Sequence, residues 1–164
     1  MSRCILVMGV SGTGKSTLGS ALATQLGGRF VDADDHHSAA NVAKMSAGQG
    51  LTDDDRWPWL AQVAAVSQPR ANETVVLACS ALKASYRDRL RDTIPGLAVV
   101  FIDGDADTLH ARLSARSDHF MPPSQVALQL QTLEVPTPNE LLCAVGLDDP
   151  TSQQVRTIER ALSR

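Results

Sequence analysis

Gly9-Val10-Ser11-Gly12-Thr13-Gly14-Lys15-Ser16 follows the apolar run Cys4-Ile5-Leu6-Val7-Met8 and leads into Thr17-Leu18-Gly19-Ser20-Ala21-Leu22-Ala23. A buried strand, a glycine turn and the opening of a helix in this order wrap backbone N–H groups around a polyphosphate. The glycines let the chain approach phosphate oxygens with no Cβ in the way, and the unpaired N–H groups at the helix start supply partial positive charge. Gly9, Val10, Ser11, Gly12, Thr13, Gly14, Lys15, Ser16 and Thr17 are therefore the expected phosphate-binding residues. Lys15 is expected to reach the β and γ phosphates, and Ser16 to set its hydroxyl on a magnesium ion bridging them.

Around this stretch the chain runs to 164 residues, enough for one domain that buries about two thirds of its unfolded surface. Hydrophobic residues make up 43% and charged residues 20%, and the net charge is −3 with the basic residues scattered. That pattern lacks the footprint of a nucleic-acid binder. No segment approaches the ~20 apolar residues of a membrane span, and the opening apolar run is too short for a signal peptide, so a cytoplasmic address is expected. Cys4, Cys79 and Cys143 are widely spaced in or beside apolar runs and read as buried free thiols.

Taken in order, strands are expected at Cys4 to Met8, Arg29 to Val31, Thr74 to Cys79, Leu97 to Ile102 and Leu141 to Val145. Helices are expected at Lys15 to Gln25, Ser38 to Met45, Thr52 to about Gln68, Lys83 to Asp92, Asp105 to Ala115, Ser124 to Leu133, and from Asp148 or so to Leu162. Ser38, Thr52 or Asp53, and Ser124 are the expected caps. Alternating strands and helices predict an α/β fold with a mostly parallel five-stranded sheet between helices. Arg116-Ser117-Asp118-His119-Phe120-Met121-Pro122-Pro123, a polar and aromatic loop ended by prolines, is the expected lid, at about 112–124 within a single domain of 1–164.

The phosphate loop does not by itself separate a switch GTPase, a motor ATPase and a small-molecule kinase. No Asn-Lys-x-Asp segment reads guanine, and the short chain has room for one substrate site and a lid. Acidic residues past the second strand, Asp32 and Asp34, stand where an open α/β sheet binds ligands. Asp103, at the end of an apolar strand, is the rival magnesium support; the earlier pair is preferred because two carboxylates can divide metal and substrate between them.

Several further segments agree in order with one family: His37-x-x-x-Asn41-Val42-x-Lys44-Met45, Leu51-Thr52-Asp53-Asp54-Asp55-Arg56-x-Pro58-Trp59-Leu60, Cys79-Ser80-Ala81-Leu82-Lys83-x-x-Tyr86-Arg87-Asp88-x-Leu90-Arg91, Arg112-Leu113-x-x-Arg116-x-x-His119-Phe120-Met121, and Leu133-Glu134-x-Pro136. With the phosphate loop they make the chain resemble the gluconokinases. The resemblance implies a P-loop, nucleoside-monophosphate-kinase-like three-layer fold with a helical lid. It implies ATP and Mg2+, and phosphorylation of D-gluconate at its terminal hydroxyl to give 6-phosphogluconate. It also implies a small-molecule partner and a homodimer, though no sequence feature fixes the oligomeric state. Two departures stand out. Ala33 replaces the usual glycine between the two aspartates, and Ser38 replaces a usual proline.

On that resemblance the roles divide as follows. Asp32 orients the metal's waters, and Asp34 accepts a hydrogen bond from the acceptor hydroxyl. Arg56 grips the gluconate carboxylate with its fork. Lys83, Tyr86 and Arg87 are further substrate contacts, or else a solvated helix face with ordinary ion pairs. Arg112 and Arg116, four apart, bring a guanidinium onto the transferring phosphate when the lid closes. His37 is a substrate-loop residue by resemblance, with His36 exposed; His119 contacts phosphate or substrate, or packs beside Phe120. Trp57 and Trp59 serve packing.

Overall fold

The computed structural model describes residues 1–114 and 123–164. Five strands, β1 (Arg3–Met8), β2 (Arg29–Asp32), β3 (Thr74–Ala78), β4 (Ala98–Asp103) and β5 (Leu141–Gly146), form one sheet in the order β2-β3-β1-β4-β5. Every neighbouring pair is parallel. The described residues add helices α1 (Lys15–Leu26), α2 (Ala39–Ser46), α3 (Asp53–Val66), α4 (Ala84–Thr93), α5 (Ala106–Ser114), α6 (Pro123–Thr132) and α7 (Thr151–Leu162). None is long and apolar enough to cross a membrane.

Period-two alternation sends the strand side chains to two separate cores. Cys4, Leu6 and Met8 join Leu77, Val99 and Phe101 under Trp59, Leu60, Val63, Tyr86 and Leu90 of α3 and α4. Ile5 and Val7 face the other way, with Val76, Val100 and Ile102, under α1, α5, α6 and α7. Both faces are covered, which is why the strands read as continuous apolar runs. The two layers of helices leave the carboxyl ends of β1, β2 and β3 open at one edge, where the phosphate loop and the aspartates emerge.

Most boundaries shift by a residue or two, as hydrogen-bonded ends do. Asp34 and Asp35 lie in a 3-10 helix, Ala33–His36, where a loop was expected. Pro123 opens α6, so Ser124 lies inside the helix rather than before it, in keeping with proline's fitness for the first helical turn. Thr52 is the cap of α3 and forms a reciprocal capping box with Asp55, which leaves Asp53 free for other contacts. Ser38 Oγ accepts the Asn41 N–H at 3.1 Å and caps α2.

Candidate active site

The loop after β1 is braced from within. The Val10 carbonyl accepts both Thr13 Oγ1, at 2.8 Å, and Lys15 Nζ, at 3.0 Å. Gly14 caps α1 with φ 89°, a left-handed conformation that glycine adopts freely, and no side chain caps that helix start. A Cβ at Gly9 would lie 3.1 Å from Thr13 Oγ1 and 3.3 Å from the Ile102 carbonyl. Among the described residues no side chain thus accepts from the first-turn N–H groups of α1, the setting in which a helix start holds an anion.

Lys15 and the aspartates converge at this point. Ser16 Oγ donates to Asp32 Oδ2 at 2.7 Å, and Asp32 Oδ1 accepts the Asp34 N–H at 3.0 Å. The structure therefore brings Asp32, from the end of β2, to the Ser16 hydroxyl; Asp103 makes no such bond among the described residues. Burial lowers the pKa of Lys15, opposed chiefly by the charge of Asp34 and also by that of Asp32. Asp34 shows an exposed edge, yet the protein crowded around its carboxyl pushes its pKa up, and the negative charge of Asp32 pushes it further. Ala33 is fully buried and does not have a positive φ, so replacing glycine costs no backbone strain there. Its carbonyl accepts the indole N–H of Trp59 at 2.8 Å, which pins the aspartate turn to α3.

His37 is stacked on Trp59, with ring centroids 4.2 Å apart and planes 12° from parallel. Its pKa is lowered chiefly by burial, and it lies near enough to feel the charges of both Asp34 and Arg56. His36 is half-buried rather than exposed. Asn41, buried, donates to the Asp55 carbonyl at 3.1 Å, and Lys44 pairs with the Asp55 carboxylate at 2.7 Å. Those bonds fasten α2 to the start of α3 and hold Asp55 down at about 2, with Lys44 the larger cause and the Thr52 N–H the next.

Beyond His37 lies a second group of polar side chains. The Arg56 guanidinium stands 5.5 Å from the Tyr86 ring centroid, and its Nη2 makes one long bond, 3.5 Å, to the Leu51 carbonyl. No carboxylate pairs with it among the described residues. Lys83 Nζ bonds Asp53 at 3.1 and 3.3 Å, and Tyr86 donates its phenol to the same carboxylate. The bond from Tyr86 and then that from Lys83 lower the pKa of Asp53, while burial raises the Tyr86 phenol to about 12. The sequence offers Asp53 only as an alternative cap to Thr52; in the structure its carboxylate organises this group, and nothing in the sequence spacing marks it.

One expectation is corrected here. Arg87 is 1% exposed and all of its donors are used: Nε and Nη2 on Glu140, Nη1 on the Ala81 and Leu82 carbonyls, and Nη2 also on the Glu134 carbonyl. It has nothing left for a substrate, and it is equally far from a solvated helix face. Arg112 donates to the Leu147 carbonyl at 2.8 Å, beside the end of β5, at the opposite edge of the sheet from Asp32 and Asp34. Arg116 and His119, with the rest of the expected lid between 115 and 122, lie outside the described residues. Glu134, whose role the sequence did not supply, accepts the Ala84 N–H at 2.8 Å through its side chain, while its own N–H donates to Leu82 at 2.8 Å. It serves the start of α4 in place of a capping side chain.

Residues 4–136 match a family model described as an AAA domain. The chain is 51% identical over 147 residues to a gluconokinase of Gluconobacter oxydans, covering 88% of this chain and 82% of that protein. It is 41% identical over 148 residues to the thermoresistant gluconokinase of Escherichia coli, covering 88% and 85%. The crystal structure of a gluconokinase from Sinorhizobium meliloti superposes with a TM-score of 0.89 at 45% identity, over 99% of this chain and 92% of that one.

Proposed function

Because this chain belongs to the gluconokinase family of phosphate-loop kinases, we propose that its cleft transfers the γ-phosphoryl group of ATP to the terminal, C6 hydroxyl of D-gluconate, yielding 6-phosphogluconate and ADP. The observation that supports the reading is that Asp34 and Arg56 both lie near enough to His37 for their charges to act on it. A sugar acid carries an alcohol at one end and a carboxylate at the other. A carboxylate base and a guanidinium that no described carboxylate pairs with, both near one imidazole, suit those two ends.

The protein's part is positioning and charge neutralisation, since phosphoryl transfer passes through a loose transition state. Lys15 leaves the Val10 carbonyl for the β and γ phosphates, and the N–H groups from Gly12 to Thr17 take the remaining oxygens. Asp34 accepts the hydroxyl proton of the acceptor and aims the oxygen in line. The new oxygen–phosphorus bond forms as the bond to the β,γ-bridging oxygen breaks, and ADP leaves with that electron pair. Arg56 holds the acceptor carboxylate; Lys83 and Tyr86, gathered on Asp53, and His37 line the polyol between.

Magnesium fits the residues present, because the Ser16 hydroxyl and the Asp32 carboxylate are hard oxygen donors 2.7 Å apart beside the start of α1. Ser16 and Asp32 would hold the ion there, and it would supply positive charge to offset that developing on the transferred phosphoryl group. Cys4 and Cys79 are free thiols that burial raises to about 12, in keeping with a reducing, cytoplasmic setting. The expectation of one kinase domain, alone or as a homodimer, is decided by sedimentation of the intact chain.

A coupled ADP-release assay run with gluconate, shikimate and nucleoside monophosphates tests the assignment. Turnover with gluconate alone is expected. Turnover with shikimate or a nucleoside monophosphate, and none with gluconate, overturns it.

A further inference from the structure

We propose that Gln129 is a positioning residue for the phosphate loop: it locks the Val10–Ser11 peptide plane, and so keeps the nucleotide cradle formed once Lys15 has moved to the phosphates. The inference rests on the nucleotide half of the function proposed above and not on the identity of the acceptor.

Gln129 lies on α6 and grips Ser11 twice. The Ser11 N–H donates to Gln129 Oε1 at 2.7 Å, and Gln129 Nε2 donates to Ser11 Oγ at 3.0 Å. A backbone N–H can only donate, so this pairing fixes which end of the side-chain amide faces the loop. In a trans peptide the C=O and the following N–H point to opposite sides. Here Thr13 Oγ1 and Lys15 Nζ hold the Val10 carbonyl on one side, and Gln129 holds the Ser11 N–H on the other. Rotating that plane breaks all of these bonds.

Occupancy of the cradle changes the balance. A triphosphate draws Lys15 away from Val10, leaving only Thr13 on the carbonyl side. Gln129 then supplies two of the three remaining bonds at the crown of the loop. The helix that carries it is anchored on either side of Gln129: Val126, one turn earlier, is buried in the core, and Glu134, two residues past the helix end, is bonded to Leu82 and Ala84. Gln129 is thus held rigidly enough to impose its geometry on the loop.

The test is the dissociation constant of magnesium ADP, measured by calorimetry on the full chain for wild type, Gln129→Ala, Ser11→Ala and the double variant. Gln129→Ala is expected to weaken binding about tenfold, the cost of two lost hydrogen bonds at a preorganised site. The double variant is expected to bind no more weakly than Gln129→Ala alone, because Ser11→Ala removes only the hydroxyl bond, one of the two that Gln129→Ala already removes. In turnover assays the KM for ATP is expected to rise while that for gluconate holds, a split that mere loosening of the fold does not produce. Gln129→Met, which keeps the stem and its packing, guards against misfolding of the alanine variant and is expected to show the same loss. Affinity for magnesium ADP within twofold of wild type in a folded Gln129→Ala or Gln129→Met protein overturns the proposal, as does full additivity in the double variant. Gluconate is absent from the binding experiment, so failure of the acceptor assignment leaves its outcome unaffected.

Discussion

Asp32 accepts the Ser16 hydroxyl at 2.7 Å through one carboxylate oxygen and the Asp34 N–H at 3.0 Å through the other. One side chain therefore sets both the phosphate side and the acceptor side of the cleft. It holds the serine of the phosphate loop and fixes the backbone of the aspartate expected to receive the proton. Its charge also helps keep Asp34 from ionising too readily.

Asp34→Asn keeps the size of the side chain and removes its capacity to accept a proton. Turnover with gluconate is expected to fall by about 10²- to 10⁴-fold while magnesium ADP binds as in wild type. In the wild-type enzyme kcat/KM for gluconate is expected to drop on the acid side at a pH above the ordinary aspartate value of 3.8, because burial and Asp32 both raise the pKa of Asp34. A pH-rate profile flat down to that value contradicts the assignment.

Arg56→Lys exchanges a planar fork for a point charge. The KM for gluconate is expected to rise roughly tenfold or more, with kcat changed much less. Unchanged kinetic constants remove Arg56 from the acceptor site.

Arg87→Ala leaves Glu140 and the Ala81, Leu82 and Glu134 carbonyls without their buried partner. A loss of about 3–5 kcal/mol in urea unfolding is expected. Ala81 holds φ at 44°, a left-handed value that costs a non-glycine residue, and Arg87 is the side chain that bonds its carbonyl. A loss below about 1 kcal/mol would show that the network is dispensable.

Glu140 supplies the pH dependence of that network. Bonds from Arg87, then Arg91, bring its pKa from 4.5 to about 2. A depressed carboxylate stabilises the fold above its unfolded pKa and loses that contribution as pH falls through the folded one. The Tm difference between wild type and Glu140→Gln is therefore expected to be full near neutral pH and to shrink as pH falls from about 4.5 to 2. A difference that stays constant with pH contradicts the ion-pair account.

The fold was legible because its information is local. Unbroken apolar runs mark strands covered on both faces, and the glycine loop identifies which of them is central. That Ser16, Asp32 and Asp34 come together beside Lys15 was readable for the same reason, since each sits at the end of an element visible in the sequence. Arg87 misled because an arginine looks the same in a list of residues whether it meets water or the buried carbonyls of Ala81 and Leu82. Asp53, Gln129 and Glu134 were missed because their partners, Lys83 and Tyr86, Ser11, and Ala84, are distant in sequence, and no periodicity connects them.

The strand that bears the phosphate loop is flanked on both sides by strands made much later: Arg3 is matched with Thr74, and Met8 with Phe101. A chain leaving the ribosome therefore exposes its most apolar segment until Phe101 has emerged, and no nucleotide can assist before then. Such long-range pairing slows folding and lengthens exposure to aggregation. The pairing of β1 therefore cannot be completed until about the first two thirds of the chain has been made.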